Sequence, residues 1–147
     1  MYIANTEGEG SMKKSFFQSC TLLYNFFNKG QEMASGEYLE KYIIQSIDFK
    51  ISKILPLFDQ NREEYLKFID LLNIKGCTEE IFESYFEVII HAVTYILEVN
   101  IGLSFTYEKR KMKVPFFLLN EHKNNQPYLL VFQNETFYPI INVTEFN

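Results

Sequence analysis

The side chains able to act as nucleophiles or proton carriers are two cysteines, Cys20 and Cys77, and two histidines, His91 and His122. A thiol becomes a nucleophile when a helix N-terminus or a neighbouring cation lowers its pKa. Cys20 instead falls inside a helical pattern and on its apolar stripe, so it reads as a core thiol. Two cysteines cannot build a disulfide framework or a zinc site, and a single bridge between them is uncommon in a chain with no export signal. His91 lies on the side of its helix opposite Phe82 and His122 in the polar loop Asn120 to Pro127, so the two do not converge. Both read as solvent-facing or locally bonded. Asp59, Glu63, Glu64, Glu79, Glu80, Glu83 and Glu87 sit at helix starts and on helix surfaces, with no pair set apart as acid and base. No metal or cofactor set is expected.

The composition excludes further classes. A net charge of −5 argues against a general nucleic-acid binder, which neutralises phosphates with a surplus of Lys and Arg. Against that background Lys109, Arg110, Lys111 and Lys113 form a local basic cluster between two expected strands. It can be a solvated turn that protects a sheet edge, or a finger touching acidic protein or nucleic-acid phosphate without sequence specificity. The most apolar run, Val88 to Leu97, is well short of the roughly 20 residues of a membrane span. Residues 1–11 carry Glu7, Gly8, Glu9 and Gly10, which suit a flexible start rather than a signal peptide. The expectation is a cytoplasmic protein with no membrane partner.

At 147 residues, 47% of them hydrophobic, the chain can bury one core, and residues 12–147 are expected to form one domain. Ser11 can cap a first helix whose Phe16, Cys20, Leu23 and Phe27 share a face, with Gly30 as its stop. A second helix is expected from about Ser35 to Leu55, and a third from Asn61, burying Tyr65, Phe68, Ile69 and Leu72 before Gly76. Thr78 caps a fourth, read as continuous to Leu97. At Glu98 the period changes to two, and Val99 to Tyr107 alternates as a strand with one buried face. Val114 to Leu119, Tyr128 to Phe132 and Phe137 to Val143 follow as strands. Of two Asn-x-Thr triplets, Asn134 reads as a turn residue and Asn142 as edge-strand. Helices first and strands last predict an α+β fold.

This order of elements resembles the otubain branch of the OTU superfamily of cysteine deubiquitinases. Ala92 to Phe105 resembles the family's helix-strand segment, and Tyr128-Leu129-Leu130-Val131 its Tyr-Leu-Leu-Tyr strand. Arg62 to Ile69 and Thr78 to Phe82 resemble the two helices before the joint, and Ser15-Phe16-Phe17-Gln18 the start of the nucleophile helix. The resemblance implies a papain-like α+β domain, with N-terminal helices packed on a mostly antiparallel C-terminal sheet.

The departures fall on the chemistry. On this alignment Ser15 stands at the catalytic Cys position, Met12-Lys13-Lys14 at the oxyanion-loop Asp-Gly-Asn, Phe137 at the His position and Pro139 at the orienting Asp position. A cysteine hydrolase needs a thiolate, an imidazole to take and return the proton, and a group that holds the imidazole. The resemblance therefore implies a shortened, inactive domain that works by binding a protein partner such as ubiquitin. Lys109, Arg110, Lys111, Lys113, Phe137 and Tyr138 are its candidate binding residues. Two alternatives stay open. The domain is a bound factor of a large assembly such as a ribosome, anchored by residues 109–113, or it is an active hydrolase using Cys20.

Overall fold

The computed structural model describes residues 2–3, 10–33, 35–47, 62–105, 116–118 and 127–141. Helix α1 (Met12–Phe27) begins where expected, because the Ser11 hydroxyl accepts the Lys14 N–H at 3.1 Å. It is followed by α2 (Gly36–Ile47) and α3 (Arg62–Lys75), the latter closed by Gly76 at φ 73°. The expected continuation of α2 to Leu55 and the Asn61 cap lie outside the described residues.

The stretch after Thr78 is two helices, not one. Thr78 caps α4 (Glu79–Ser84), the helix breaks at Tyr85 (φ −118°, ψ 29°), and α5 (Phe86–Leu97) follows. The break falls where the apolar stripe meets two different partners. Phe82 and Phe86 both pack on Phe16, at 5.5 and 5.4 Å between ring centroids, while Tyr85 packs on Phe68 at 4.8 Å. Glu98 ends α5 in the left-handed conformation, φ 54°, which is where the sequence period changes.

Among the described residues the sheet has the order β1-β5-β4-β2-β3, formed by β1 (Tyr2–Ile3), β2 (Ile101–Phe105), β3 (Phe116–Leu118), β4 (Tyr128–Gln133) and β5 (Thr136–Ile141). It is mixed. β2 and β4 run parallel, with Ile101 opposite Tyr128 and Leu103 opposite Leu130, and the other pairings are antiparallel. β2 is buried at Ile101, Gly102 and Leu103, so successive residues pointing to opposite faces are both out of water, and β4 and β3 cover its two edges. Asn134 and Glu135, at φ 54° and 58°, make the two-residue turn between β4 and β5. Tyr2 and Ile3, expected in a flexible start, instead pair with Ile141 and Ile140 at the edge of the sheet.

The core lies where α1 crosses the sheet. Phe16, fully buried, meets Phe17, Phe82, Phe86 and Phe137 at 5.3 to 5.5 Å between centroids. Rings from α1, α4, α5 and β5 thus share one centre, and burying each contributes about 1.5–3 kcal/mol. Gly36 lets α2 approach α1 closely: a Cβ there would lie 2.9 Å from the Gln18 backbone nitrogen.

Candidate functional site

The N-terminal turns of α1 and the start of β5 come together through serines one helical turn apart. Ser15 and Ser19 both face β5 because a spacing of four residues returns to the same side of a helix. The Phe137 N–H donates to Ser15 Oγ at 2.8 Å, and Ser19 Oγ donates to the Phe137 carbonyl at 3.1 Å. Ser15 Oγ in turn donates to the Met12 carbonyl at 3.2 Å. One residue earlier, Thr136 Oγ1 accepts the Gly10 N–H at 2.8 Å and donates to the Asn134 carbonyl at 3.1 Å. Ser15, Ser19, Thr136 and Phe137 are each 0% exposed, so the backbone of Phe137 is held by α1 at both of its polar atoms without water.

The Phe137 ring closes the same junction from the sheet side. It packs on Phe132 at 4.7 Å, Phe16 at 5.4 Å and Phe86 at 5.5 Å between centroids. Its burial removes it from the candidate binding surface, since a ring in the core offers nothing to a partner. Tyr138 points to the other face and is partly buried. Pro139 is buried opposite Leu130, at the position in β5 just before its pairing with β1 begins at Ile140.

A carboxylate occupies the N-terminus of α1. The first turn of α1 contains no acid of its own. Glu79, in the first turn of α4, supplies one: its carboxylate accepts the Ser11 hydroxyl and the Lys13 N–H, the latter at 2.9 Å. The positive end of the α1 dipole is thereby satisfied from within the chain. Lys13 Nζ reaches the Cys77 carbonyl at 2.8 Å and Glu40 at 3.4 Å, which ties α1, α2 and the turn before α4 together.

Neither cysteine is activated. Cys20 is fully buried, and burial pushes its thiol far above the ordinary range. Cys77 lines a cleft of about 440 Å3 with Lys13, Lys14, Glu40 and Lys41. Burial pushes its thiol up to about 11, with Glu40 and Glu79 acting in the same direction and Lys13 against them. Both are free thiols. His91 is half-buried rather than solvent-facing, and burial lowers its pKa while Glu87 opposes the shift. Among the described residues no group of three or more His, Cys, Asp or Glu side chains could hold a metal ion, and no helix is long and apolar enough to cross a membrane.

The structure therefore brings Ser15 and Phe137 together and leaves His91 and Cys20 out of their junction. His122, Lys109, Arg110, Lys111 and Lys113 lie outside the described residues. Sequence reasoning missed Ser19 and Glu79. The Ser-x-x-x-Ser spacing beside an apolar stripe was a signal for the first. Glu79 carried none, because an acid after a capping Thr is explained by its own helix. Compared with known proteins, the chain matches no family profile, no curated protein and no solved structure.

Proposed function

We propose that this chain is a catalytically inactive, otubain-like domain that works by binding a protein partner, with ubiquitin or its conjugates the first candidate. The observation that carries this reading is the 2.8 Å hydrogen bond between Ser15 Oγ and the Phe137 N–H. These residues stand at the positions that the resemblance gives to the nucleophile and the proton acceptor, 122 residues apart in sequence. Their contact is what a retained scaffold with discarded chemistry requires.

The chemistry around them supports inactivity. The Ser15 hydroxyl is engaged as donor and acceptor with no exposed surface, and its neighbour in β5 is a phenyl ring that cannot take a proton. Glu79 fills the α1 N-terminus, where an oxyanion would need unoccupied N–H donors. Burial of Cys20 weighs against the alternative of an active cysteine hydrolase.

The test pairs a binding measurement with two activity measurements. Titration of isotope-labelled ubiquitin with the full chain should shift a contiguous set of ubiquitin amide resonances. Diubiquitin should remain uncleaved, and a ubiquitin-based electrophile should form no adduct. Turnover, or an adduct on Cys20, would end the reading.

A further inference from the structure

The C-terminal half of α1, the outer face of α2 and the last turn of α5 enclose an open groove of about 620 Å3. Tyr24, Tyr38 and Tyr42 line it together with Met33, Glu32 and Glu98, and among the described residues none of the lining is basic. Leu39, Ile43 and Ile47 supply the buried stripe of α2, so Tyr38 and Tyr42, one turn apart on the outer face, are not needed for packing. They remain 53% and 47% exposed. Two large rings thus stand in water on one side of the groove, facing the exposed Glu32 across it.

The opposite wall is preorganised. Asn25 clasps Met33 at both backbone atoms, accepting its N–H at 2.7 Å and donating to its carbonyl at 3.2 Å. The Gly30 N–H donates to Glu32 Oε1 at 2.8 Å, which orients that carboxylate and favours its charged form. The last turn of α5, with Ile96 and Leu97 at the rim, adds the negative end of a helix dipole.

We propose that this groove binds the guanidinium of an arginine carried on a basic, extended segment of a partner protein, with Tyr38 and Tyr42 covering the cation and Glu32 balancing its charge. The faces of aromatic rings attract cations. Guanidinium suits the site better than ammonium because it is planar, stacks on rings and is more weakly hydrated. A phosphate or an acidic membrane surface would be repelled by Glu32 and by the negative end of α5, and a purely apolar segment would desolvate the Glu32 carboxylate while bringing no charge to balance it. The inference shares with the proposed function only the premise that the domain acts by contact. Loss of either therefore leaves the other standing, since ubiquitin titration and diubiquitin turnover do not report on this groove.

The experiment titrates the isotope-labelled full chain with a capped Ala-Gly-Arg-Gly-Ala peptide and with the same peptide carrying neutral citrulline for arginine. The arginine peptide should shift amides at residues 31–33, 38, 42 and 96–98, and the citrulline peptide should not. Tyr42→Ala should weaken binding roughly fivefold, from the size of an exposed cation–π contact, and Glu32→Gln roughly two- to fivefold, from the size of an exposed ion pair, while Tyr42→Phe keeps it. Both residues are exposed, so thermal unfolding of the variants should match the parent. Equal shifts with citrulline, shifts centred instead on Glu63 and Glu64 at the start of α3, or undiminished binding by both variants would overturn the proposal.

Discussion

Replacing Ser15 with alanine removes one oxygen and leaves two buried polar groups to be rearranged. The Phe137 N–H loses its acceptor at 2.8 Å and the Met12 carbonyl loses a donor at 3.2 Å. The carbonyl retains a lone-pair direction along the helix, so the N–H dominates the cost. Both Ser15 and Phe137 are 0% exposed, which keeps water from replacing the lost partner. A buried donor left in this way costs about 1–3 kcal/mol, and the exclusion of water argues for the upper half of that range. At about 2 kcal/mol, a chain of this size should lose roughly 4–8 °C in melting temperature. Equilibrium unfolding in urea, followed by far-ultraviolet circular dichroism, should show a lower midpoint at an unchanged slope. Ser19→Ala removes only the donor to the Phe137 carbonyl and should cost less. Because both serines hold the same residue, the double variant should depart from additivity by about 0.5 kcal/mol or more. A Ser15→Ala protein within about 0.5 kcal/mol of the parent, the ordinary scatter of surface substitutions, would refute the clamp.

Other parts of the structure make separate predictions. Glu79→Ala should lower stability by about 1–2 kcal/mol in urea unfolding, because the Lys13 N–H and the Ser11 hydroxyl both lose their acceptor; Glu79→Gln, which keeps an oxygen acceptor but not the charge, should recover part of that loss. Gly36→Ala places a Cβ 2.9 Å from backbone that cannot swing aside, so α2 must shift away from α1, at about 1–3 kcal/mol in thermal unfolding. The imidazole of His91 has a folded pKa below its ordinary value of 6.5, so its protonation favours unfolding. Its contribution is present above 6.5 and is lost as pH falls through the lowered folded value. Nuclear magnetic resonance titration of its ring should give a midpoint under 6.5, and a midpoint above that would contradict the burial argument. Cys77, raised to about 11, should alkylate about 100-fold more slowly at pH 8 than after unfolding in urea, as thiolate abundance falls tenfold per pH unit. Equal rates would mean that the thiol is exposed.

The helices were legible because their signals are local. Ser11 and Thr78 cap α1 and α4 as their positions next to apolar stripes require, and Gly76 ends α3 with the positive φ that favours glycine. The break at Tyr85 was not legible, since the apolar spacing of Phe82, Tyr85, Phe86 and Ile89 suits one straight helix equally well. It depends on where Phe16 and Phe68 stand, and they come from other segments. The strands after α5 were found in the right places, and three of the four pairings among the described residues are antiparallel as expected, but alternation marks a strand without any sign that β4 will lie parallel to β2.

The candidate site divides in the same way. Ser15 and Phe137 could be singled out from the order of residues, but their opposite fates, a spent hydroxyl and a core ring, arise from contact across more than a hundred positions. Glu79 serving the N-terminus of another helix follows from how α4 docks against α1, and two outward tyrosines become a groove only when α5 ends beside them. What the amino-acid order decided by itself was the kind and limits of each element, through caps, periodicity and positive-φ positions that act within a few residues. The tertiary structure decided which polar atoms meet, because hydrogen bonding and the exclusion of water depend on distances that no local pattern encodes.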